Sequence, residues 1–324
     1  MSTVLVIGSG FVGTGIARHL AAHGHTVTLA SRGRPSTSPT TYGARWAALD
    51  ATVPEACDRL LTRLRPDGVV LVHGPSDVTW CEEHPGEAEQ AHAAVAGNVA
   101  SLAPGARVVL ISTDNVFDGS LPHNTESTPV RPANAYGRAK LRAEQILLAT
   151  AADAVVLRVS LVYGHEPADA GKWLNFFASC AHQLLLGEAV HAPDDHWTTP
   201  VTVSDVARVT ASVLFAPAPL PEVLHLGGPD RVTRAEWALT IADLLGAPRR
   251  LVVPVPKAAT RYASRPENAC LTSTSLPGLL GLTPVDGVAA GARKLVTAFT
   301  GRHAISRTPP GTGPVSTEPD RERG

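Results

Sequence analysis

Thr113, Tyr136 and Lys140 are the residues whose types and spacing point most directly to chemistry. Thr113 lies in Ser112-Thr113-Asp114-Asn115-Val116-Phe117-Asp118-Gly119, directly after the apolar run Val108 to Ile111. Its hydroxyl is therefore expected at the C-terminal tip of a parallel strand, where open α/β sheets bind their ligands. Tyr136-Gly137-Arg138-Ala139-Lys140 reads as the start of a helix from Ala135 to Ala149. Four residues make about one helical turn, so the phenol and the ammonium share a face. Together the three groups form a proton-donating device suited to carbonyl reduction. Tyr136 would protonate the oxygen as it becomes an alkoxide, Lys140 would draw the phenol down from its ordinary pKa of ~10, and Thr113 would hydrogen-bond the same oxygen. Of the four tyrosines, only Tyr136 has a lysine four positions on.

Such a device needs a hydride source, and the N-terminus offers a place for one. Thr3 to Ile7 reads as a buried strand, followed by Gly8-Ser9-Gly10-Phe11-Val12-Gly13 and a helix through Leu20. This is the dinucleotide fingerprint in its strand-turn-helix context, with glycines that let backbone approach a pyrophosphate at a positive helix N-terminus. The next strand, His25 to Ala30, ends in Ser31-Arg32-Gly33-Arg34, where an NAD-specific site would offer a carboxylate to the ribose 2′-hydroxyl. A guanidinium there suits a 2′-phosphate, so NADPH is expected ahead of NADH; the plain alternative is a pair of solvated loop charges.

The elements that would position these groups repeat as βα units. Further strands are expected at Arg45 to Leu49, Gly68 to Val72 and Ala154 to Val162, with helices at Pro54 to Leu64 and Pro85 to Leu102. After Tyr163-Gly164 the rhythm breaks. A helix at Lys172 to Leu186 and a short strand precede Asp194-Asp195-His196-Trp197-Thr198-Thr199-Pro200, and a helix near Ser204-Asp205 follows. Then come a strand from Glu222, a helix at Arg234 to Leu245, a strand at Leu251 to Val255 and a last helix at Gly287 to Phe299. The fold class read from this order is α/β, a doubly wound parallel sheet (Rossmann) with a smaller interleaved C-terminal substrate-binding lobe. The expected division is 1–164 with 201–221 for the NADP-binding part, 165–200 with 222–300 for the lobe, and a disordered tail at 301–324.

The 324 residues are 44% apolar with a formal net charge of −1, which suits a compact enzyme. There is no basic stripe for nucleic acid and no run approaching the ~18 apolar residues of a membrane span. Met1-Ser2-Thr3-Val4 enters a strand without a charged leader, so a cytoplasmic location is expected. Cys57, Cys81, Cys180 and Cys270 are isolated and read as reduced packing residues, and the 13 histidines show no ligand spacing, so no metal is expected.

The ordered motif set resembles the extended short-chain dehydrogenase/reductases, and among them the dTDP-4-dehydrorhamnose reductase group of nucleotide-sugar 4-ketoreductases. The matching pieces run from Gly8 to about Leu276: the glycine loop, Ser112 to Gly119, Pro132 with Tyr136 and Lys140, Leu157 to Gly164, Asp195 to Pro200, and Arg265-Pro266 with Asn268. Two departures stand out. Asn115 replaces a tyrosine, and His73-Gly74-Pro75-Ser76 replaces an N-A-A-like stretch.

The resemblance implies NADPH-dependent reduction of a keto group on a nucleotide-activated sugar, in deoxysugar or specialised-metabolite biosynthesis. It implies that Gly8, Gly10, Phe11, Val12, Gly13, Ser31, Arg32, Asp50, His73 and Gly74 contact the cofactor, together with Tyr136 and Lys140, the latter on the nicotinamide ribose. Thr113, Tyr136 and Lys140 are the expected catalytic set. Asn115, Trp197 and Arg265 are the expected substrate contacts, with Arg265 near phosphate and Trp197 near the base or sugar. Asn98 is a candidate for supporting backbone near the site. A nucleotide-sugar epimerase, another short-chain reductase, or a noncatalytic NADP-binding subunit remain as other readings, and a homodimer is left open.

Overall fold

The repeated βα units close into one parallel sheet, and the computed structural model describes residues 1–169, 173–217, 219–276 and 281–306. Strands β1 (Thr3–Ile7), β2 (Thr26–Ser31), β3 (Arg45–Ala48), β4 (Gly68–Leu71), β5 (Arg107–Thr113) and β6 (Ala154–Val159) alternate with helices α1 (Phe11–Ala22), α2 (Pro54–Leu64), α3 (Val78–Glu83), α4 (Pro85–Leu102) and α5 (Ala135–Thr150). Beyond them lie β7 (Val162–Tyr163), α6 (Phe176–Leu186), β8 (Val190–Pro193), β9 (Trp197–Thr198), β10 (Val201–Thr202), α7 (Val203–Phe215) and β11 (Val223–Leu226). The last elements are β12 (Val232–Thr233), α8 (Arg234–Leu245), β13 (Val252–Val255), β14 (Asn268–Ala269) and α9 (Val288–Ser306).

The seven-stranded sheet has the order β11-β6-β5-β4-β1-β2-β3, all pairs parallel. Chain order therefore reverses between β1 and β4, the switch point where such sheets hold ligands above their C-terminal ends. Because crossover helices cover both faces, the strands are apolar on both sides: every residue of β4 and β5 is buried. One face carries α1 and α7 over a core of Val6, Ile16, Leu20, Val70 and Val206. The other carries α2, α4 and α5 over Leu5, Leu60, Val99, Leu110 and Leu147. A third core of Tyr163, Phe176, Phe177, Trp237 and Ile241 joins α6, α8 and α9.

Several expected boundaries move. The apolar run from Ala154 to Val162 is not one strand. The chain leaves the sheet at Ser160, whose hydroxyl shares its proton between Asp114 Oδ2 and Ala269 O, and Val162–Tyr163 pairs with β10 instead. Helix α3 was not foreseen; Asp77 caps it by accepting from Thr79 N and Trp80 N. Helix α6 starts at Phe176, capped by Asn175, and Lys172 lies outside the described residues. Helix α9 continues through Ser306, six residues into the segment expected to be disordered; the rest of that segment, 307–324, lies outside the described residues.

Among the described residues no helix is long and apolar enough to cross a membrane, and no group of three or more His, Cys, Asp or Glu side chains is placed to hold a metal. The four cysteines are free and buried.

Candidate active site

The C-terminal ends of β1, β4, β5 and β6 open into a cleft of about 580 Å³ that reaches from the glycine loop to α6 and α8. Its wall brings together Thr113, Tyr136 and Lys140 from β5 and α5. Asn134 begins α5 by accepting from Gly137 N at 2.8 Å. A Cβ at Gly137 would lie 2.0 Å from Asn115 O, so only glycine lets this helix start approach the strand tip closely. Deeper in α5, Glu144 is buried against Arg158 of β6 at 2.7 Å and accepts from Ser112 of β5. That ion pair fixes the helix on the sheet, and with it the register of Tyr136 and Lys140.

Lys140 is buried and its Nζ donates to Ile111 O at 2.6 Å. Burial draws its pKa down to about 8, with Glu144 opposing. Protein crowded around Tyr136 pushes the phenol up to about 12, and the cation that pulls it back is Arg265. Arg265 thus adds a cation at the phenol that the spacing of Tyr136 and Lys140 does not reveal, while the Lys140 ammonium is held by the Ile111 carbonyl.

Thr113 does not stand free at the strand tip. Its hydroxyl donates to Asp114 Oδ1 at 3.2 Å and accepts from Asn115 N at 3.2 Å and from Asn115 Nδ2 at 3.1 Å. Asn115 Nδ2 also donates to Asp114 Oδ1 at 2.7 Å, and Asn115 Oδ1 accepts from Asn134 Nδ2 at 2.8 Å. Asn134 Nδ2 donates onward to Ser264 O at 3.0 Å, one residue from Arg265. Asn115 lines the cleft, but both ends of its amide are engaged in tying the β5 tip to the Arg265 segment. Asp114, which the sequence reading did not single out, is buried at the centre of this network, and burial raises its pKa against Arg265, Ser160, Thr113 and Asn115.

The cofactor end fits a dinucleotide. Gly8 has φ +116°, and a Cβ there would lie 2.1 Å from Val72 O; at Gly10 a Cβ would meet nothing, leaving backbone open to the cleft. Gly8, Gly10, Phe11, Val12, Ser31, Arg32 and Asp50 all line it. Gly13 does not: a Cβ there would lie 1.9 Å from Gly8 O, so its part is to let α1 pack under the loop. Arg32 lies near enough to Asp50 to help hold that carboxyl below its ordinary pKa, after the Thr52 hydrogen bonds that do most of it. Arg34 is turned away, its guanidinium 5.1 Å from the Trp46 ring. Asn98 donates to Ala51 O at 3.0 Å and so supports the backbone beside Asp50.

His73 and Gly74 line the cleft after β4 and meet a residue the sequence reading missed. His73 Nε2 donates to His92 O and His92 Nε2 to Pro75 O, both at 3.1 Å. Gly74 has φ +86°, and a Cβ there would lie 2.2 Å from the His92 ring. The departure at 73–76 thus has its counterpart on α4. Burial foremost, with Lys140 adding, keeps both imidazoles neutral, His92 down to about 3.

Trp197 is not brought to the cleft. It packs under Arg231 at 3.9 Å while its neighbours His196 and Thr198 line the cavity, because alternate residues of a strand face opposite ways. Arg265 does line it, beside Arg261, Tyr262 and Arg234. At the mouth stands Trp173, 72% exposed, with Arg261 stacked over its ring at 4.5 Å. Its signal in the sequence is slight, one of two indoles, with Trp197, between positions 165 and 200, where the βα rhythm breaks.

The chain has relatives among known proteins. The chain matches the family model described as RmlD substrate binding domain over residues 1–287. It is 28% identical over 277 residues to a probable low-salt glycan biosynthesis reductase, Agl14, of Haloferax volcanii, covering 84% of this chain and 90% of that one. It is 30% identical to methionine adenosyltransferase 2 subunit beta of Rattus norvegicus, over 69% of this chain and 68% of that one. With dTDP-4-dehydrorhamnose reductase of Mycobacterium tuberculosis it shares 29% identity over 92% and 96% of the two chains. Among solved structures, dTDP-4-dehydrorhamnose reductase of Bacillus anthracis in complex with NADP superposes with TM-score 0.76 at 20% identity, covering 92% of this chain and 99% of that one. UDP-glucose 4-epimerase of Thermotoga maritima with UDP-glucose reaches 0.78 at 20%, covering 93% and 99%. At such identities the superpositions establish the fold, which reductase and epimerase share.

Proposed function

Since the chain belongs to the RmlD substrate binding domain family, we propose that it is an NADPH-dependent reductase of a keto group on a nucleotide-activated sugar. The observation that carries this reading is the convergence of Thr113, Tyr136 and Lys140 on the wall of the cleft that begins at the glycine loop. NADPH, when bound, supplies the hydride. Gly8, Gly10, Phe11, Val12 and Ser31 would hold it, with Arg32 at the 2′-phosphate and Lys140 at the ribose hydroxyls.

A phenol at about 12 keeps its proton at neutral pH, so Tyr136 is poised to give it to the oxygen as negative charge develops. Arg265, beside Tyr136 and Asp114, adds positive charge where that oxygen forms. Trp173 rather than Trp197 takes the nucleobase by stacking, because it is the indole that the cleft exposes.

A second reading has a specific observation behind it, the 30% identity to methionine adenosyltransferase 2 subunit beta. In this chain it would mean cofactor binding without turnover. A panel of nucleotide 4-keto sugars, followed by NADPH consumption and product analysis, separates the readings. Reduction of at least one member supports the reductase. NADPH binding with no member consumed supports the second reading.

A further inference from the structure

Arg234 opens α8 at the floor of the cleft and is 1% exposed, yet among the described residues it has no carboxylate at ion-pair distance. Its Nε donates to His196 Nδ1 at 3.0 Å, and the rings of Tyr262 and Phe176 lie 3.9 and 4.9 Å from the guanidinium carbon. Because His196 Nδ1 accepts, the imidazole proton sits on Nε2. That N–H and Arg234 Nη1 are both buried and find no partner among the described residues. Both side chains line the cleft. The pair therefore presents donors alone, on groups that are costly to bury unpaired.

We propose that Arg234 and His196 form an oxyanion subsite at the cleft floor, separate from Arg265, that takes either a phosphate of the nucleotide diphosphate or a carboxylate carried by the sugar. The planar guanidinium fork matches either oxyanion, and the flanking rings exclude competing water. Arg265 and Arg261 lie close enough to Arg234 to push its pKa down alongside the larger effect of burial, so an anion bound here also relieves repulsion among three cations. The identity of the anion as part of a nucleotide sugar rests on the reductase reading; the subsite itself rests on the unpaired donors.

Calorimetry on the full-length protein, with NADPH present, tests this using inorganic pyrophosphate and D-glucuronate as separate probes. One of the two should bind the parent, pyrophosphate marking a phosphate site and glucuronate a sugar carboxylate. Arg234→Met should raise the Kd of that probe by ~10-fold or more, as loss of a charged hydrogen bond does. Its unliganded form should melt no lower than the parent, because an unpaired buried charge has gone. His196→Leu, which removes the second donor, should weaken the same probe and serves if Arg234→Met does not fold. Binding of neither probe to the parent, or parent-like affinity in the variants, overturns the subsite even where nucleotide sugars are reduced. Pyrophosphate binding that depends on Arg234, in a protein that reduces no nucleotide sugar, leaves the subsite standing and removes the reductase reading.

Discussion

At the residue scale, the cleft assigns separate tasks to cations that look alike in sequence. Arg32 lines the cleft beside the glycine loop and Arg34 stacks on Trp46, so Arg32 is the arginine proposed to meet a 2′-phosphate. Arg32→Ala is expected to narrow the calorimetric gap between NADPH and NADH, and Arg34→Ala to leave it in place; equal affinities for the two cofactors in the parent would contradict the assignment.

Lys140 makes a pH prediction whose sign follows from its burial. Its pKa, drawn down to about 8 from the ordinary 10.5, means that the ammonium predominates below pH 8 and is lost as pH rises through it. Because kcat/KM for NADPH reports ionisations of the free enzyme, that parameter should fall above about pH 8. A profile flat to pH 9.5 would mean that Lys140 is not needed as a cation. Much of this scale was legible beforehand: the Tyr136 and Lys140 pair and the glycine loop carry their own spacing, and Thr113 follows its apolar run. The places of Asp114, His92 and Arg234 were not, because they depend on partners 17 to 46 residues away: Pro75 for His92, His196 for Arg234 and Ser160 for Asp114.

At the scale of elements, the site depends on how α5 is held. Asn134 caps its first turn, Gly137 lets it touch Asn115 O, and Glu144 anchors it through Arg158 and Ser112. Breaking a buried ion pair by removing one partner leaves the other charge uncompensated, which costs about 3–5 kcal/mol. Glu144→Ala should therefore lower unfolding stability by about that amount in urea titration, whereas a loss under 1 kcal/mol would show that water reaches Arg158. Strand and helix limits were read well where one pattern runs uninterrupted, as in β1, α2, α4 and α8. They were misread where pairing changes under a constant pattern: Ala154 to Val162 is apolar throughout, and only the Ser160 hydrogen bonds mark where the chain leaves the sheet. Trp197 fails for the same reason, since a two-residue strand shows no alternation from which to choose its face.

At the scale of the molecule, the strand tips of the seven-stranded sheet meet α6, α8 and the segment at 261–265 across one cleft. The Asp114, Asn115, Asn134 and Ser264 chain of hydrogen bonds ties those two sides together. The fold and family were legible because they rest on ordered motifs; the choice of substrate was not, because it rests on side chains from distant segments that share a wall only after folding. This wall is proposed to give a proton to the carbonyl oxygen as hydride arrives, with Tyr136 as the donor. The most direct measurement is turnover of a nucleotide 4-keto sugar with NADPH by the parent and by Tyr136→Phe, which keeps the ring and removes the proton. The account predicts turnover by the parent, a fall of ~10²-fold or more in kcat in the variant, and NADPH affinity little changed. Full turnover in Tyr136→Phe, or a parent that binds NADPH and reduces none of these sugars, would contradict it.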